Sequence, residues 1–324
     1  MNDLISVIVP AYNAEEYIGE CLDSLLCQTY ENLQIIVVND GSTDRTGEII
    51  ARYQKKDARI LALHQPNGGV SAARNLALEH MEGRYVTFSD SDDTSEPDKI
   101  AFLYALLLAH DAEIAHCGYN RVEEGQCKAV HGTGSLQVQT SEESLACIVE
   151  GRLFTGSLCT KLFDSGLFSG IRFDVSLKDS EDILVCYSAF KKARKTVFAD
   201  TPKYNYIIRD SSACRTMGNL RSYTDKASVA KTMYADSVDT PLEKTAAKRY
   251  IQHLSGLYRV LLYEKKRDSI RLERVKQELL RMDALHVCKE LKIRLNLRML
   301  IHMPFLYKAL YKVYDSIRIP NRDC

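Results

Sequence analysis

The first 110 residues alternate short apolar runs with stretches of helical periodicity, and this alternation restricts the chain to few architectures. Apolar runs stand at Ser6–Val9, Leu33–Val38, Ile60–Leu63 and Tyr85–Phe88. Between them the spacing of apolar residues predicts helices over Ala14–Leu26, Thr43–Tyr53 and Val70–Met81, and a fourth opening at Pro97 and running through Ile100–Leu108. The strands are rich in Val and Ile without clean alternation, as expected where both faces of a sheet are buried. Strands and helices in this order predict the α/β class, with a mostly parallel, Rossmann-like sheet and helices on both faces. Residues 111–217 are mixed. A strand is expected near Glu113–Tyr119, a hairpin within the polar loop Glu123–Ser135, helices over Ser141–Glu150 and Asp182–Lys192, and strands at Thr196–Phe198 and Tyr204–Ile208. From Leu220 onward the chain reads as helical, so 1–110 and 111–217 are expected to form two halves of one domain, followed by a helical region over 218–324.

Several classes are disfavoured. Lys and Arg balance Asp and Glu, 43 against 43, so nothing in the overall charge points to nucleic acid. No run reaches the roughly 18 apolar residues of a membrane span. The opening MNDLISVIVPAYN lacks a basic segment ahead of its apolar run, so no signal peptide is expected and a cytoplasmic location is. Ten cysteines occur without a CxxC pair or a histidine at metal-ligand spacing, and read as small buried hydrophobes in a reducing compartment.

In open α/β sheets, ligands bind beyond the carboxyl ends of the strands. Three of those ends are polar here: Pro10-Ala11-Tyr12-Asn13, Asn39-Asp40-Gly41-Ser42-Thr43-Asp44 and Asp90-Ser91-Asp92-Asp93. If the strands are neighbours, Tyr12, Asp40, Asp90 and Asp92 share one crevice. A flat aromatic ring and a carboxylate can hold a nucleobase, a carboxylate can take a ribose hydroxyl, and another can bind Mg²⁺ or Mn²⁺ together with substrate phosphates. A cation also accounts for like charges gathered at the end of a buried strand. Part of the pattern reads equally as punctuation, with Thr43 as a helix N-cap and Asp93 capping the next helix.

The blocks SVIVPAYNAEEYIGECLDSLLCQTYENLQIIVVNDGSTDRT, QPNGGVSAARNLAL and GRYVTFSDSDD resemble, in order and spacing, the nucleotide-binding half of the family-2 inverting glycosyltransferases. That family has the GT-A fold and carries a DxD motif. The resemblance implies that Pro10, Ala11 and Tyr12 line a base pocket, that Asp40 contacts the base, and that Asp90-Ser91-Asp92 is the DxD. Asp90 would then lie near the ribose and Asp92 on a divalent cation, Mn²⁺ or Mg²⁺. It places Arg74, after the Gly68-Gly69 turn, at the base side or the diphosphate; a buried ion pair with a strand-end Asp is the alternative. In LKDSEDILVCYSAF, Ser180 reads as a helix cap, and acids in a first helical turn are ordinary complements of the helix dipole. The resemblance instead makes Glu181-Asp182 the family's acidic pair, with Asp182 as general base. It further suggests Lys161, Arg209, Ser211 and Glu181 as donor-sugar or diphosphate contacts. The activity implied is hexosyl transfer from a nucleotide sugar, UDP-linked by family analogy, to a saccharide or lipid-linked acceptor in polysaccharide or capsule synthesis.

The resemblance fades after residue 215. The closing LKIRLNLRMLIHMPFLYKALYKVYDSIRIPNR is basic and apolar, which fits peripheral contact with the inner face of the plasma membrane, or packing on the catalytic domain or on a second copy in a homodimer. Two rival readings stand. DSDDT also fits the DxDxT nucleophile loop of haloacid-dehalogenase-like phosphatases, and the chain could be a non-catalytic binding protein that keeps the GT-A fold. A dinucleotide oxidoreductase is disfavoured, since no GxGxxG follows the first strand.

Overall fold

The run ISVIVPA is apolar at all but one position, and it occupies the middle of the sheet with every residue buried. A computed structural model describes residues 2–151, 156–209, 219–264, 268–288 and 290–307. They form two compact units, one of the described residues up to 177 together with 181–209, the other of 178–180 together with the described residues from 219 onward.

In the first unit, β1 (Ile5–Ala11), β2 (Leu33–Asp40), β3 (Ile60–Gln65) and β4 (Tyr85–Phe88) are mutually parallel in the spatial order β3-β2-β1-β4. Ala11 pairs with Asn39 and Ile8 with Phe88, so the carboxyl ends of β2, β1 and β4 lie side by side. The connecting helices are α1 (Ile18–Leu26), α2 (Thr46–Lys56), α3 (Val70–Glu79) and α4 (Lys99–His110). Ile5, Val7 and Val9 bury against Ile18, Leu22 and Leu25 of α1 and Leu103 and Leu107 of α4. Each such side chain contributes about 1.5–3 kcal/mol. Alternation turns Ile8 and Phe88 to the opposite face, where α3 packs on β1 and β2.

Three helices, α1, α2 and α4, start two to four residues later than the periodicity suggests. The Thr43 N–H donates to Asn13 Oδ1 at 2.9 Å, and Asp44 accepts the Thr46 N–H at 3.0 Å, so α2 opens at Thr46 and Thr43 is not its cap. Ala14 N–H donates to Thr46 Oγ1 at 2.7 Å, which ties the loop before α1 to the start of α2. Asp93 does not cap α4 either. It is buried, followed by the two-residue strand β5 (Thr94–Ser95).

The second half of this unit adds β6 (Ile114–Glu123), β7 (Gln126–Val130), β8 (Leu136–Thr140), α5 (Ser141–Glu150), β9 (Lys161–Asp164), α6 (Glu181–Lys192) and β10 (Lys195–Ile208). The sheet runs β3-β2-β1-β4-β9-β6-β10-β5, with β7 beside β6 and β8 beside β10. The hairpin between β6 and β7 turns at Glu124 and Gly125, both at positive φ. Thr140 and Glu143 form a reciprocal capping box that starts α5. β9 joins the halves, antiparallel to both β4 and β6. The two strands expected at 196–198 and 204–208 are one strand, whose register is irregular around Pro202.

The second unit contains α7 (Leu220–Ser237), α8 (Glu243–Tyr263), α9 (Ser269–Arg281), α10 (Ala284–Val287) and α11 (Leu291–His302). Tyr250, Leu254, Leu257, Tyr258 and Leu261 of α8 repeat at helical spacing and bury against Leu272, Val275 and Leu279 of α9 and Leu297, Leu300 and Ile301 of α11. Among the described residues no helix is long and apolar enough to cross a membrane. Of the eight described cysteines, all free, five are buried while Cys27 and Cys127 are exposed.

Candidate active site

The strand order brings the three polar strand ends to one edge of the sheet. Pro10 and Ala11 end β1 as buried residues, and the Tyr12 side chain beyond them is 49% exposed. Asp40, ending β2, is only 3% exposed. Its Oδ1 accepts the Gly68 N–H at 2.8 Å and Gln65 Nε2 at 2.7 Å, while Oδ2 accepts the Gly69 N–H at 2.8 Å. Asp40 therefore pins the PNGG turn in addition to any part in base recognition, and of about four carboxylate lone pairs one remains open. Gly69 sits at φ 87° and ψ 166°, a conformation open essentially to glycine alone.

Beyond β4 the carboxylates divide. Asp90 and Asp92 keep side chains 39% and 44% exposed, and Ser91 between them is half-buried. Burial and the Asp90 charge hold the Asp92 carboxyl above its ordinary pKa, and Arg209 opposes them. Asp93 turns inward, accepting the Tyr204 hydroxyl at 2.7 Å and the Ile207 N–H at 2.8 Å. Burial, then the charges of Asp90 and Asp92, push its carboxyl up to about 8. Tyr204, which the sequence reading did not single out, also accepts the Asp90 N–H at 3.3 Å. Arg209 donates to the Asp92 carbonyl, lies 4.0 Å from the Asp92 carboxylate and covers the Tyr17 ring at 4.1 Å, which places it at the acidic cluster. Ser211 lies outside the described residues.

The acidic pair opens α6. Glu181 meets Arg74 Nη1 at 2.8 Å. Asp182 is half-buried, and its Oδ1 accepts the Ile183 N–H at 2.7 Å. Burial, then the Glu181 charge, push the Asp182 carboxyl up to about 7, against the pull of Arg74. Arg74 is 5% exposed and also reaches Asp90 Oδ1 at 3.0 Å, the strand-end ion pair named above as the alternative. Ser180 does not cap α6: it lies at φ 66° and its hydroxyl donates to Asp179.

Lys161 departs from expectation. It is fully buried at the start of β9, its ammonium donating to the Ser157 carbonyl at 2.6 Å and to Thr160 Oγ1 at 3.3 Å. A lysine opening a short strand reads as exposed; no local signal marks its burial.

The Glycosyl transferase family 2 model matches residues 6–173, the span from β1 to Phe173. The chain belongs to glycosyl transferase family 2. Among relatives of this family 2 chain, glycosyltransferase GlyA of Streptococcus pneumoniae is 36% identical over 258 residues, covering 76% of this chain; the chain spans 37% of GlyA's length. The fold of S. aureus TarS 1-349, solved in complex with UDP-GlcNAc, superposes with a TM-score of 0.73 at 23% identity over 98% of this chain and 93% of TarS 1-349. The mannosyltransferase PcManGT from Pyrobaculum calidifontis, solved with GDP-Man and Mn²⁺, gives a TM-score of 0.56 at 16% identity over 98% and 83% of the two chains. Family membership displaces the phosphatase reading of DSDDT. That motif ends the fourth strand of the sheet, after three strand–helix units with polar ends of their own.

Proposed function

We propose that the chain transfers a hexosyl group, with inversion, from a UDP-linked donor to a saccharide or lipid-linked saccharide acceptor. The observation that carries this reading is the half-buried Asp182, with a carboxyl raised to about 7, linked through Arg74 to Asp90 beside the DSDD strand end. A base whose pKa lies near the working pH combines availability with proton affinity. The acceptor hydroxyl oxygen attacks the anomeric carbon as its proton passes to an Asp182 oxygen, and the anomeric C–O bond to the diphosphate breaks in line. Pro10, Ala11 and Tyr12 line the base pocket, the open lone pair of Asp40 accepts a base N–H, and Asp90 takes the ribose. UDP as the nucleotide is supported by the UDP-GlcNAc complex of TarS.

The residues fit a divalent cation, Mn²⁺ or Mg²⁺. Asp92 is a half-exposed carboxylate made costly by its neighbours, and a hard cation bound through one carboxylate completes its shell with phosphate oxygens. Among the described residues no cluster of three or more His, Cys, Asp or Glu forms a ready-made metal cage. When bound, the cation supplies charge neutralisation for the leaving diphosphate. The Mn²⁺ complex of PcManGT supports the same choice. Arg209, beside Asp92, covers the diphosphate.

Asp182→Asn tests the base. Turnover of a UDP sugar should fall by about 10²–10⁴ while UDP binding with Mn²⁺ persists; retained turnover refutes the assignment. The helical second unit is proposed to meet an anionic lipid surface. On α11, Ile293 and Leu295 are 41% and 52% exposed beside the exposed Arg294 and Arg298, and Phe305 just beyond is 76% exposed. Arg294 and Arg298, four residues apart, share one helical face with an exposed apolar side chain on each side of it, which suits anionic lipid headgroups. The chain should sediment with phosphatidylglycerol vesicles and not with phosphatidylcholine, and Arg294→Glu with Arg298→Glu should abolish it; equal binding to both lipids refutes this contact.

A further inference from the structure

Arg74 does more than neutralise a neighbour. Its guanidinium reaches Asp90, at the end of β4, and Glu181, at the start of α6, partners 16 and 107 residues away in sequence. The side chain is 6% exposed, and it lies over the Phe173 ring with 5.4 Å between the guanidinium carbon and the ring centroid. The adjacent Asn75 fixes that ring's backbone from both sides: Asn75 Nδ2 donates to the Phe173 carbonyl at 2.9 Å, and Asn75 Oδ1 accepts the Phe173 N–H at 2.8 Å. Phe173 in turn packs edge-on against Phe88, two residues before Asp90, at 6.0 Å. A planar fork with several donors can bind two carboxylates at once in a fixed geometry, which a lysine ammonium cannot.

We propose that Arg74 is a positioning residue, a brace that fixes the spacing between the donor-side carboxylate Asp90 and the base-bearing helix at Glu181-Asp182, with Asn75 and Phe173 holding the brace in place. This rests on the reading of Asp182 as base. The brace touches neither nucleotide nor acceptor. It acts by keeping the base at reacting distance from the donor, where an error of about 1 Å costs on the order of 10²-fold in rate. The charged and titratable groups felt by Asp182 are Glu181 and Asp90, which oppose its ionisation, and Arg74, which favours it; it also interacts with Lys161 and with the Cys186 thiol. Cutting either arm of the brace therefore leaves opposite marks on the pH profile. Weakening the Arg74 arm moves the acid limb of kcat to higher pH, and neutralising Glu181 moves it lower.

The test compares the full-length wild type, Arg74→Lys, Glu181→Gln and Asp182→Asn. It uses UDP with Mn²⁺ for the dissociation constant and UDP release from a UDP-sugar panel headed by UDP-GlcNAc for kcat. The brace predicts that Arg74→Lys and Glu181→Gln each lower kcat tenfold or more, leave the UDP constant within threefold, and shift the acid limb in opposite directions. An Arg74→Lys chain that binds UDP tenfold more weakly but keeps its kcat makes Arg74 a nucleotide contact and overturns the brace. If Arg74→Lys does not fold, the near-isosteric Glu181→Gln decides: unchanged kcat overturns the proposal. Failure of the underlying reading looks different, since the wild type would then bind no UDP or Asp182→Asn would stay active, and the brace falls with it.

Discussion

Asp40→Asn is the substitution whose cost the structure defines most closely. Asp40 accepts three hydrogen bonds, two on Oδ1 and one on Oδ2. An asparagine carbonyl in the Oδ1 position keeps the bonds from Gln65 and Gly68, but sets an amide NH₂ against the Gly69 N–H, donor against donor. The reverse orientation restores Gly69 and loses Gly68, while Gln65 adapts by turning its amide. Either way one backbone donor loses its acceptor, and two charge-assisted bonds become neutral ones, each weaker by about 1 kcal/mol. The lost bond adds about 1.5 kcal/mol. Since Gly68 is exposed and Gly69 half-buried, water recovers part of this, and the net loss is about 3 kcal/mol. For a domain of this size that lowers Tm by about 6–12 °C. Urea unfolding of wild type and variant measures it. A loss below about 1 kcal/mol would refute the view that Asp40 anchors the glycine turn.

Two further outcomes follow from the same geometry. Because the Asp182 carboxyl is raised to about 7 and must be ionised to accept a proton, kcat should climb with pH through about 7; a limb near 4, measured over a pH series with saturating donor, contradicts that environment. Tyr204→Phe removes the hydroxyl that serves both the buried Asp93 carboxyl and the Asp90 N–H, and should cost about 1–3 kcal/mol in urea unfolding.

The sequence made much of this legible where structure is local. The strands β1 to β4 are continuous apolar runs, each followed by helical spacing, and the carboxylates of DSDD stand out because they end one of them. Legibility failed where the deciding partner is distant. β9 is four residues long, KLFD, and exists as a strand because Val86 pairs with Phe163 and Ala115 with Leu162. That non-local pairing also takes Lys161 inside. Asp93 read as a cap because helices often open on such residues, yet Tyr204 and Ile207, more than a hundred positions on, claim its oxygens. Of the two carboxylates that hold Arg74, a strand-end Asp is expected from the sequence, but Glu181, 107 positions away, is invisible to any local window.

The most direct test of the central claim is thermal unfolding of the purified chain with UDP, GDP and ADP, each with Mn²⁺ and with EDTA. A ligand at a hundredfold excess over its dissociation constant stabilises the folded state by about 2.7 kcal/mol, which raises Tm by several degrees. The account predicts that rise with UDP and Mn²⁺ and its loss with EDTA. No rise with any nucleotide, in the presence of the metal, would contradict it.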